Sequence, residues 1–73
     1  MPEVLSRVVA GRLYDQVEKR VGWTPLAIVM DAALGGYFVA VRDELTGFIL
    51  PIRDLWTLIW IDQERAGKET HEN

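Results

Sequence analysis

Ser6 is the one serine of the chain, cysteine is absent, and His71, the one histidine, lies close to the C-terminal end. A hydroxyl or thiol nucleophile works only with a base held against it, so these residues exclude catalysis by a triad. Disulfides and thiolate zinc sites go with the missing cysteines, and a metal would have to be held by carboxylates alone. Asp43-Glu44 is the one adjacent carboxylate pair. A two-carboxylate mechanism needs a second wall around its substrate, and in a turn-like sequence the pair reads as a solvated loop tip. Gly35-Gly36 fits neither GxGxxG nor GxxxxGK[ST], the spacings that cradle phosphates. The chain therefore reads as non-enzymatic, with no catalytic residue, no metal and no cofactor.

What remains is contact chemistry. Six of the seven residues from Leu55 to Ile61 are apolar, and two of them are tryptophans. One helix of a small domain buries one broad face, which leaves a surplus here for something else to cover. Tryptophan, tyrosine and arginine dominate binding hot spots. Trp56, Trp60, Leu58 and Ile61, with Trp23 and Tyr37, are thus the candidate interaction residues. They could equally fill the core, since tryptophan is highly buried on average. The expected outcome is a split, one of Trp56 and Trp60 structural and the other interfacial.

The elements that position these residues follow from periodicity. Leu5, Val9, Leu13, Val17 and Val21 recur every four residues, a helical stripe, with Pro2 suited to its first turn and Gly22 to its stop. Thr24-Pro25 reads as an N-cap followed by a first-turn proline, and Gly35-Gly36 as a stop, which predicts a short second helix over Leu26 to Leu34. Ala27-Ile28-Val29-Met30 could also be a buried strand, and the alanines at 27, 32 and 33 favour helix. Residues 37–42 and 48–52 are aromatic and β-branched runs around the turn-like 43–47, which predicts a hairpin whose second strand, because Pro51 cannot donate to a ladder, is an edge or ends there. Asp54 opens a third helix that Gly67 ends, with a third strand as the alternative because tryptophan, threonine and isoleucine favour strands. The predicted class is α+β, in the order helix, helix, β-hairpin, helix, as a single domain over 1–67 with a flexible polar tail over 68–73.

With 73 residues there is material for one core, and 49% hydrophobic against 26% charged residues places the chain far from disorder. So small a scaffold without disulfide or metal gains its margin by oligomerising. The start of the chain has no basic segment followed by an apolar one, and no uncharged stretch approaches the length of a membrane span, so the expected setting is cytoplasmic.

The predicted order of elements is similar to that of small winged-helix proteins such as phage excisionases. That likeness implies a DNA-binding regulator as the runner-up. In that case the second helix would enter the major groove and present arginine, lysine, asparagine or glutamine to base edges. Leu26 to Leu34 has none of these, and the net charge of −3 gives nucleic acid nothing to steer by. The preferred expectation is a small protein-protein interaction module of a regulator, inhibitor or adaptor kind, self-associating through the tryptophan-rich C-terminal element and binding a second protein. A third class is a small-molecule binder with its pocket between subunits.

Overall fold

In the computed structural model, which describes residues 5–71, Ser6 caps the first helix, α1 (Arg7–Glu18). Its hydroxyl oxygen accepts from the Val9 N–H at 3.2 Å, satisfying one donor that the first turn leaves over. Pro2, expected in that first turn, lies outside the described residues. Ala10, Leu13 and Val17 are buried, whereas Val9 is exposed and Val21 lies past the helix end in open solvent. A four-residue repeat drifts about 40° per step around a helix with 3.6 residues per turn, so the sequence stripe and the buried stripe share only their middle.

Three strands follow: β1 (Trp23–Asp31), β2 (Gly36–Asp43) and β3 (Ile49–Ile52), antiparallel in the order β1-β2-β3. The last element is a helix, α2 (Leu55–His71), capped by Asp54, whose Oδ1 accepts from the Thr57 N–H at 3.0 Å. The order is thus α-β-β-β-α, and it overturns the expected helix, helix, hairpin, helix. The segment read as a second helix is strand β1. Its Ile28 and Val29 pair with Val39 and Phe38, and β-branched and aromatic neighbours across a ladder outweigh the helix preference of isolated alanines. Pro25 is no helix start. It sits beside a register shift between Pro25 and Ala27, in an edge strand where a missing N–H is tolerated. The winged-helix order, and the DNA-reading helix it would supply, go with that correction.

Both hairpins use one device twelve residues apart. Asp31-Ala-Ala-Leu-Gly35 and Asp43-Glu-Leu-Thr-Gly47 each begin on an aspartate whose carbonyl accepts from the glycine N–H, at 2.8 and 2.7 Å. The aspartate side chains accept from backbone N–H groups inside their own turns, those of Ala33 and Leu34 for Asp31 and of Leu45 for Asp43. Gly35 and Gly47 have φ of 72° and 80°, a region that favours glycine. Gly35 is therefore a hairpin residue and not a helix stop.

Side chains of β2 alternate. Val39, Val41 and Asp43 point to the face that Ala10, Leu13 and Val17 of α1 and Leu58 of α2 cover, with Trp23 and Ile52 completing the core. Both helices lie on that one face. The other carries Val29, Phe38, Ala40 and Pro51 without a covering layer among the described residues, as antiparallel sheets permit. α2 does not stop at Gly67 but runs on to His71. Glycine inside a helix costs about 1 kcal/mol, which glutamate, arginine, alanine and lysine around it can carry.

Candidate functional site

Two opposite sides of α2 define the site. On the inner side Leu58 is fully buried, and Leu55 and Ile61 pack against the core. On the outer side Trp56 and Trp60, one turn apart, are 73% and 63% exposed. Neither tryptophan is a core residue, so the expected split between them does not occur; they form one apolar ridge. Of the other sequence candidates, Leu58 is core, Ile61 is half-buried, and Tyr37 is half-buried on β2, its N–H donating to the Leu5 carbonyl at 3.1 Å. Trp23 is buried and held by its indole. Its Nε1 donates to Asp62 Oδ1 at 3.0 Å, so it shares neither surface nor helix face with the ridge.

The orientation of the ridge is set by polar residues that sequence reasoning passed over. Asp62 Oδ2 accepts from Arg20 Nη2 at 2.9 Å, which ties α2 to the end of α1. Arg65 donates through Nη1 to Asp43 Oδ1 at 3.2 Å and through Nη2 to Oδ2, a two-pronged pair, and its guanidinium lies 5.4 Å from the centre of the Trp23 ring. Asp43, expected at a solvated loop tip, is 3% exposed. Thr46 Oγ1 also donates to it, at 3.0 Å. The turn aspartate is buried because α2 closes over it. The signal was present as a second spacing: Asp31 is met by Arg53 and Asp43 by Arg65, each 22 residues later.

The two prongs of Arg65 hold the Asp43 carboxyl down to about 2 from its ordinary 3.8, assisted by Leu45 N–H and the Thr46 hydroxyl and opposed by burial. In return the carboxylate pushes the Arg65 guanidinium up. A depressed acid stabilises the fold above its unfolded pKa and loses that contribution as pH falls through the folded one. Between pH 4 and pH 2, therefore, thermal melts should reveal a loss of about 1–2 kcal/mol from this pair, the lower end reflecting partial solvent screening of Arg65. An Arg65→Ala chain should lack that component of the acid slope; an unchanged slope would show that Asp43 titrates elsewhere.

A shallow hollow of about 190 Å³ lies along the ridge between Trp60, Ile61, Glu64, Arg65 and Lys68. It is smaller than the roughly 300–1,000 Å³ of usual ligand pockets, and its arginine is already engaged by Asp43. Among the described residues no cluster of histidine, aspartate or glutamate could hold a metal ion, and no helix is long and apolar enough to cross a membrane. No family model, no curated protein and no solved structure matches the chain.

Proposed function

We propose that the chain is a small non-enzymatic protein-protein interaction module, of a regulator, inhibitor or adaptor kind, that self-associates through Trp56 and Trp60 and offers the same ridge to a second protein. The observation that carries this reading is the exposure of two tryptophans one turn apart on a helix whose opposite side is anchored by Leu58, Asp62 and Arg65. Covering both indoles removes roughly 300 Å² of apolar surface, about 7 kcal/mol at 25 cal/mol per Å². Association costs about 4–15 kcal/mol in lost freedom, so the pair acts as the hot spot of a larger footprint.

The purified chain is expected to sediment as a dimer or larger. Trp56→Ala and Trp60→Ala should each keep the circular dichroism spectrum of the parent and weaken association by about 2 kcal/mol, roughly 30-fold in Kd. A clean 8.3 kDa monomer at high micromolar concentration would reject self-association through the ridge.

A further inference from the structure

We infer that β1 pairs edge to edge with β1 of a second copy, joining two three-stranded sheets into one. The strand order leaves two edges, and they differ. The β3 edge is four residues long and carries Pro51, and Leu5 bridges to Tyr37 at the end of β2. Proline and shortness are ordinary guards of an edge. The β1 edge is nine residues long. Among the described residues only the β2 ladder hydrogen-bonds to the backbone of residues 24–30, so the other row of N–H and C=O groups faces outward. No side chain from Trp23 to Met30 is charged, and Pro25 with its register shift guards only the first third of the strand.

The occupant follows from charge and from sequence. A chain with net charge −3 repels its own copies except where its surface is neutral, and β1 is neutral along the edge. The same neutrality gives an acidic or basic peptide nothing to recognise. A like strand is complementary to it. Antiparallel pairing centred on Ile28 sets Leu26 of each copy opposite Met30 of the other, and Ala27 opposite Val29. Leu26, Ile28 and Met30 are all exposed, Met30 by 62%, and such a seam covers them in a self-complementary two-fold contact. Opposed side chains in an antiparallel pair share a face, so the helices of both copies lie on one side of the joined sheet. The inference rests on the self-association proposed above but adds a second contact, so that the Trp56 and Trp60 ridge links units already joined along β1.

The absence of cysteine makes the test direct. Single variants Leu26→Cys, Ala27→Cys, Ile28→Cys, Val29→Cys and Met30→Cys are oxidised under mild conditions beside Val21→Cys, a fully solvated control. The variant at the two-fold, expected to be Ile28→Cys, should form a covalent dimer at least tenfold faster than the control, because residues directly opposed across strands have Cβ atoms about 4.5–5.5 Å apart. The cross-link should persist when Trp56→Ala and Trp60→Ala are added. On the otherwise native chain, hydrogen exchange over residues 24–30 should slow as concentration rises. No variant outrunning Val21→Cys, together with concentration-independent exchange, would overturn the inference. If the chain still oligomerised through the tryptophans, the proposed function would stand without it. Cross-linking along β1 with no effect of either tryptophan variant on mass would instead remove the ridge and keep the seam.

Discussion

Asp43→Ala is expected to destabilise the fold by about 3 kcal/mol, against about 1 kcal/mol for Asp31→Ala, although the two aspartates open turns of the same design. Burial makes the difference. The Asp43 side chain is nearly closed from solvent, with Arg65 on both its oxygens, whereas Asp31 keeps a quarter of its side-chain surface and Arg53 reaches it through one nitrogen. Removing Asp43 leaves the Leu45 N–H and the Thr46 hydroxyl without that acceptor and the Arg65 guanidinium without its partner beside Trp23. Water can replace most of what Asp31 supplies. Urea midpoints measured for both variants check the contrast; equal shifts would mean that the closure of α2 over Asp43 contributes nothing.

Leu58→Ala is expected to cost about 3 kcal/mol or more, most of the margin so short a chain can hold. Leu58 is the one fully buried side chain among the described residues of α2, and its loss opens a cavity in the core cluster to which Val39 and Ile52 also belong. Its neighbours Trp56 and Trp60 supply the contrast. They are larger, yet at concentrations low enough for the copies to be dissociated their truncation should leave the melting temperature almost unchanged, because in the free chain their surface is already in water. A Leu58→Ala chain melting like the parent would mean that α2 is held by its ion pairs alone.

The helix α1, the two apolar runs of the β2 and β3 hairpin and the cap at Asp54 were legible because local rules govern them: a stripe, an alternation, a capping aspartate. Strand β1 was not, since Leu26 to Leu34 has no period, and its pairing with β2 is a property of Val39 and Phe38 as much as of Ile28 and Val29. The spacing of the first turn, an aspartate followed four residues later by a glycine at Asp31 and Gly35, recurs at Asp43 and Gly47, and that spacing was the local clue to a second hairpin. On α2 the surplus of apolar residues was visible but its direction was not. The inward stripe ends in Asp62 and Arg65, which look like solvent residues until Trp23, Arg20 and Asp43 are brought against them. A helix whose buried side becomes polar halfway along defeats any reading of hydrophobic pattern alone.

The separation of these partners along the chain also orders events in time. Each hairpin closes through bonds between residues at most five apart, a loop that forms in microseconds. The docking of α2 needs Asp62 to find Trp23 and Arg20, 39 and 42 residues away, after the sheet between them exists. Long-range closure of this kind comes late on a folding path and opens first on the way back. The α2 latch therefore governs how long the folded state lasts more than how quickly it is reached, and in stopped-flow traces Leu58→Ala should appear chiefly as faster unfolding.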